Sequence, residues 1–187
     1  LLQVWHCSDS AWCISAAEER ELQDYSQAGR SLISIGIIIY SKQYLLAKSV
    51  REECIAITDE AISELHEKNP QTVEETITLI RELTKLGCIK GMAISETEVI
   101  LAFPLTEDDA TRAAFQHLGV SICNAAKAAT RVQADYQKPE AEKYHMRGWL
   151  LRLGFGGPAN AGARKILLQH LSGSSAFKAG SAKEVAE

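Results

Sequence analysis

SLISIGIIIY, spanning Ser31 to Tyr40, is short, apolar and dominated by isoleucine. β-Branched side chains sit well on a pleated surface and lose rotamer freedom in a helix. A run of this length next to a glycine therefore reads as a buried strand. Gly36 inside it implies a bulge or a close backbone approach. With a strand here, the chain is built on a sheet, and the flanking segments must supply the helices that cover it.

Before the run, Ala16 to Gln27 is charged and helix-prone, a short helix that Ser15 caps and Ala28-Gly29 closes. Leu1 to Ser15 holds Trp5, Trp12, Cys7 and Cys13 without a clean period. After the run, Gln43 to Lys68 reads as one long amphipathic helix. Leu46, Val50, Cys54, Ile57, Ala61 and Leu65 share a stripe, with glutamates on the other side. Asn69-Pro70 breaks the chain. Thr72 then opens a helix through Leu86, with Glu75 completing a capping box and Gly87 stopping it. Cys88–Ile94 and Glu98–Phe103 read as a hairpin that Pro104 ends. Thr106 is the expected cap of a helix from Asp108 to about Tyr136, the longest in the chain. Glu107, Asp108 and Asp109 then meet its positive end.

The last stretch, Glu142 to Lys178, reads as helix, glycine turn, helix and a small-residue loop, resembling a helix-turn-helix unit in outline. Tyr144, Met146, Trp149, Leu150 and Leu153 make the first apolar face. Gly154 should end that helix, and Phe155 should fold back onto it. Asn160 is the expected N-cap of the second helix. That helix turns Ile166, Leu167 and Leu171 inward and Arg164 and Lys165 outward.

Charge is unevenly spread over a chain of 187 residues and net charge −4. Arg51 to Asp109 carries 14 acids against 5 bases, and Lys138 to Lys178 carries 7 bases against 2 acids. Such a basic end suits an anionic partner, either DNA or RNA or an acidic protein partner. The expected nucleic-acid-binding residues are Arg147, Arg152, Arg164, Lys165, Ser172, Ser174 and Lys178, with the serines as neutral phosphate contacts. The overall acidity excludes a generally basic coat protein. The longest apolar run is too short to span a bilayer, so no membrane is implied. Five cysteines, odd in number and scattered, fit reduced thiols in a cytoplasm. No nucleotide loop, zinc-protease helix or nucleophile elbow occurs, so the reading is a non-enzyme without cofactor or metal. The long acidic helix and an alanine stripe (Ala114, Ala125, Ala129) leave an oligomer open, and with it a purely protein-binding role.

EKYHMRGWLLRLGF followed by ARKILLQHLSGSSAFK resembles the C-terminal signature of a family of virulence-related proteins. These are carried by conjugative transposons and other mobile elements of gut Firmicutes. The matching positions are Glu142, Lys143, Tyr144, Trp149 to Phe155, Ala163 to Leu168 and Leu171 to Phe177, within a stretch that makes up about a fifth of the chain. The resemblance implies an intracellular bacterial protein in a mobile-element setting. It carries over no catalytic residue.

The expectation is an α+β fold: a small antiparallel sheet packed by several helices, with a C-terminal helix-turn-helix-like pair. Its expected parts are an N-terminal extension (1–30), an α+β core (31–137), the basic helical unit (138–178) and a tail (179–187).

Overall fold

A computed structural model describes residues 2–6, 22–95 and 98–176. The fold is α+β. Strand β1 (Leu2–His6) is followed by helix α1 (Leu22–Val50), strand β2 (Ala56–Ile57), and helices α2 (Asp59–Lys68) and α3 (Val73–Lys85). Strands β3 (Ile89–Lys90), β4 (Met92–Ile94) and β5 (Val99–Pro104) come next. Helices α4 (Asp109–Ala128), α5 (Glu142–Arg152) and α6 (Ala161–Leu168) complete the order. One antiparallel sheet has the order β1-β5-β4, and a second pairs β2 with β3. Trp12, Cys7, Cys13 and the possible cap Ser15 lie outside the described residues, as do Lys178 and the tail.

SLISIGIIIY is not a strand. It is the middle of α1, a helix of 29 residues. α1 packs against α3, α4, α6 and β2, so most of its circumference is covered. A helix buried on nearly all sides loses its polar face and with it the helical period. Leu32, Ile35, Ile37, Ile39, Leu45 and Leu46 are all buried. The surviving trace of helix is a line spaced by four residues, the exposed Arg30 followed by the half-covered Ser34, Ile38 and Lys42. Nor does Gly29 close a preceding helix, since α1 passes straight through it.

A methyl group on Gly36 would lie 3.8 Å from both Ile57 Cδ1 and Met92 Cε, ordinary contact. The helix therefore has room for alanine there, and glycine in a helix interior is worse by about 1 kcal/mol. Gly36→Ala is expected to raise stability by about that much, read as a shift of the urea midpoint. A lower midpoint would mean that α1 is packed more tightly on Met92 than these distances show.

The expected helix from Gln43 to Lys68 is three elements. Its stripe is buried as anticipated, but Arg51 takes a φ of 63° and turns the chain out of α1. β2 follows, and Thr58 then caps α2, accepting from the Ala61 amide at 3.3 Å. Gln43 reaches across and makes both backbone bonds of Ile57, donating to its carbonyl at 3.0 Å and accepting from its amide at 2.8 Å. A two-residue strand thus has β3 on one side and a side-chain amide on the other.

α3 carries the expected capping box, and Val73, Ile77, Ile80 and Leu83 are buried. The β4–β5 hairpin is also present, pairing Ile94 with Val99 and Met92 with Leu101. The first expected strand is divided at Gly91, so that β3 joins one sheet and β4 the other. α4 is capped by Asp108, two residues beyond the expected Thr106. Asp108 accepts from the Thr111 amide at 2.9 Å, while Thr106 Oγ1 accepts from the Asp108 amide at 3.2 Å. α4 lies on the sheet through Phe115, whose ring stacks on Phe103 at 5.7 Å.

α4 stops at Ala128, well short of Tyr136. Residues 129–140 form an irregular strap laid lengthwise on α1. Tyr136 packs its ring on Tyr40 at 5.8 Å, Lys42 donates to Gln137, and the Lys138 ammonium sits 5.3 Å from the Tyr44 ring centre. From Tyr40 to Tyr44 the helix advances only about 6 Å, at 1.5 Å per residue. The strap therefore advances in step with the helix beneath it. Val132 and Ala134, and then Gln137 and Pro139, are partly covered while the residues beside each are exposed. Within each pair the two-residue step is the signature of extended chain, and the exposed Asp135 and Tyr136 shift its phase by one residue.

One core cluster holds side chains from α1 through α6, with Phe155, Met146, Leu150, Leu167 and Leu171 of the last stretch inside it. Among the described residues no helix is long and apolar enough to cross a membrane.

Candidate nucleic-acid interface

α5 begins at Glu142 with Ala141 in the cap position, which offers no side-chain acceptor. The serine loop does that work instead: the Ser172 carbonyl accepts from the Lys143 amide at 3.0 Å. In return the Ser172 amide donates to Glu142 Oε2 at 2.8 Å. Glu142 is buried, yet its other oxygen accepts from Tyr44 Oη at 2.9 Å and from Lys48 Nζ at 2.5 Å. Burial alone would push this carboxyl up. Hydrogen bonds from Lys48, Ser172 and Tyr44 outweigh it and hold the group at about 2. The same contacts, first Glu142 and then Tyr44, push the Lys48 ammonium up. The Glu-Lys pair that opens α5 and the serine that closes the last stretch are thus one joint, clamped onto α1.

The far end of α5 closes as expected. Gly154 takes a φ of 90°, the left-handed conformation that costs glycine least. The Gly154 amide donates to Leu151 at 3.2 Å and the Phe155 amide to Leu150 at 3.0 Å, the paired bonds of a Schellman motif. Phe155 is fully buried, stacked on the His117 ring at 4.2 Å. Asn160 holds the cap position of α6 but makes no cap bond. Its amide donates backwards, to Gly154 O at 3.2 Å and Gly156 O at 3.1 Å. Arg164, one turn later, donates to Phe155 O and to Gly157 O, the latter at 2.8 Å. Every carbonyl from Gly154 to Gly157 thus faces a donor from the start of α6. At the other end of α6, Ser49 of α1 donates to Leu167 O at 2.7 Å.

These contacts sort the seven expected nucleic-acid residues. Arg147, Arg152 and Lys165 are exposed on α5 and α6. Arg164 does not point outward as expected; its guanidinium is part of the turn, because unpaired carbonyls there are costly. Ser172 is engaged with Glu142 and Lys143. Ser174 Oγ accepts from the Ala176 amide at 3.1 Å. Lys178 lies outside the described residues.

The fold adds cations that the sequence did not group with them. Lys42 on α1 stands near Arg152 of α5: burial lowers its pKa first, and the Arg152 charge lowers it further, against an opposing pull from Asp135. Lys48 and Lys138 flank the Tyr44 ring, each with its ammonium 5.3 Å from the ring centre. Lys42, Lys48, Lys138 and Arg152 come from three separate parts of the chain. The strap and the Glu142 joint bring Lys48 and Lys138 to the Tyr44 ring and Arg152 toward Lys42. A periodicity search cannot find such a cluster, since its members are up to 110 residues apart.

Cys54 is buried and its thiol is pushed up to about 11 by desolvation, which leaves it unreactive. Among the described residues no group of three or more His, Cys, Asp or Glu could hold a metal ion.

Comparison of this chain with known protein families, with curated proteins and with solved structures finds no match.

Proposed function

We propose that this protein is a non-enzymatic accessory protein of a bacterial mobile element that works in the cytoplasm. It binds nucleic acid through phosphate contacts on its basic C-terminal face. The supporting observation is that Lys42 and Arg152 are held close enough for the arginine to depress the lysine. Like charges so placed repel each other, and a phosphate between them relieves the repulsion. Lys138 at the Tyr44 ring, and Arg147 and Lys165, exposed on α5 and α6, are the further cations offered to phosphate. The mobile-element setting rests on the resemblance of the last stretch to the virulence-related family.

The reading is tested with Arg152→Glu combined with Lys165→Glu. Both side chains are exposed, so the melting temperature should stay near that of the parent. Anisotropy with short duplex DNA, single-stranded DNA and RNA at two salt concentrations should show binding that weakens with salt. Each cation lost should flatten the log–log salt slope by about 0.9. Equal binding by the double variant removes this face from the site, and no binding by the parent at low salt ends the nucleic-acid reading.

A protein-binding reading rests on a different observation. Tyr144 and Leu151, seven residues apart on one side of α5, remain 38% and 42% exposed. A variant with serine at both positions should keep any nucleic-acid binding. It should lose self-association, seen as mass by light scattering, if that face is a contact.

A further inference from the structure

Tyr136 lies in the strap where aromatic and cationic side chains come together. It is 45% exposed, and its ring packs on that of Tyr40, 5.8 Å away and tilted by 52°. Tyr40 is buried, and its hydroxyl donates to Asp59 Oδ1 at 2.6 Å. That bond, with burial, pushes the hydroxyl up to about 12, so the bonding proton stays in place at neutral pH. Tyr136 therefore rests on a fixed support. Gln137 follows it and accepts from Lys42, and Lys138 comes next, its ammonium 5.3 Å from the Tyr44 ring centre. Two residues of chain span at most about 7 Å, so both points lie within that distance of Tyr136 along the backbone. Asp135, on the other side, accepts from the Gln137 side-chain amide at 3.3 Å. Two cations thus stand against one acid beside the ring. The neighbouring rings are less open: Tyr40 is buried, and Tyr44 is half-buried with the Lys48 and Lys138 ammoniums on it.

We infer that Tyr136 is a stacking platform for an unpaired base, and that the nucleic acid this protein takes is single-stranded. The inference rests on the nucleic-acid reading of the basic face and names the substrate of that face. Proteins that hold single strands combine a positive surface for the backbone with aromatic rings on which bases stack. In a duplex each base face is covered by its neighbours, so the ring has nothing to stack on unless a base step is opened at a cost. A ring braced beforehand loses little freedom when a base lands on it. Every base has a π-face, so Tyr136 adds affinity without sequence preference.

The test is anisotropy of a labelled single strand, and of the duplex formed from it, titrated with the full chain at two salt concentrations. The parent should bind the single strand at least about tenfold more tightly than the duplex. Tyr136→Leu keeps an apolar contact with Tyr40 and removes the π-face. It should weaken single-strand binding about tenfold and leave duplex binding as it was. The salt slope should not change, since no ion contact is lost. Tyr136→Phe should bind like the parent. A single strand carrying 5-iodouracil should crosslink to Tyr136 on irradiation, located by mass spectrometry. Arg152→Glu with Lys165→Glu should instead weaken both forms and flatten the slope. Duplex binding as tight as single-strand binding overturns the inference and leaves the basic-face reading standing. So does single-strand binding that Tyr136→Leu leaves unchanged or weakens equally with the duplex. No binding of either form by the parent at low salt overturns both.

Discussion

Gly91→Ala should cost more stability than any other single methyl group added to this protein. Gly91 has a φ of 69°, a conformation in which an L side chain costs about 1–2 kcal/mol. The clash is larger. A Cβ there would stand 1.9 Å from the Cys54 carbonyl oxygen and 2.9 Å from its carbon. Those are backbone atoms, so no rotamer change can relieve the contact. The loop at Cys54–Ile55 must move, and with it the two-residue ladder of Ala56 with Lys90 and Ile57 with Ile89. The bond from the Ala102 amide to Gly91 O, 2.8 Å long, ties the same residue to the larger sheet. Strain and overpacking together should exceed about 3 kcal/mol, a large share of a typical domain's stability. The control is Gly87→Ala. Its φ is 77° and nothing lies within 4 Å of the added carbon, so it carries the strain without the clash. Denaturant midpoints of both variants separate the two contributions. Equal losses would mean that the Cys54 loop yields freely.

Glu142→Gln should be the most damaging change of a polar side chain in the C-terminal stretch. The carboxylate is held at about 2 against an ordinary value of 4.5. At ~1.4 kcal/mol per pH unit the difference is about 3 kcal/mol of folding stability. The folded value is depressed, so this stability is present in full above pH 4.5. It is lost as pH falls from 4.5 through 2. The amide of the variant must also turn an N–H toward Lys48 or the Ser172 amide, leaving a buried donor facing donors. Urea unfolding at pH 7 should show the variant weaker by about 3 kcal/mol. Between pH 4.5 and 2 the parent should converge on the variant. A parallel fall of the two curves through that window would show that Glu142 is not the group that titrates.

The parts of the fold that were legible are those whose causes are local. The Thr72–Glu75 capping box, the Gly87 and Gly154 stops, the β4–β5 hairpin and the buried stripe from Leu46 to Leu65 each depend on residues a few positions apart. The errors came where neighbours distant in sequence set the outcome. SLISIGIIIY lies in a helix that α3, α4, α6 and β2 pack against, and burial on most sides erases the period that distinguishes helix from strand. The break after Val50 has a local signal, since Thr58 followed by Asp59 and Glu60 is a cap with acids in the first turn, but the apolar stripe runs on through it and masks it. Arg164 looked like surface charge until the turn carbonyls it serves were placed around it. The candidate interface is half legible on the same grounds. Arg147, Arg152 and Lys165 follow from helical spacing, whereas Lys42, Lys48 and Lys138 join through the strap.

That strap also sets an order of events in time. Its partners on α1 are 96 residues away at Tyr40–Tyr136 and 95 at Lys42–Gln137. A ribosome adding 5–20 residues per second delivers α1 about 5–20 s before the strap that covers it. Over that interval a long apolar helix leaves the exit tunnel with one flank bare. The chain's exposure to unwanted association is therefore set by the speed of translation through the middle of the message as well as by the finished fold.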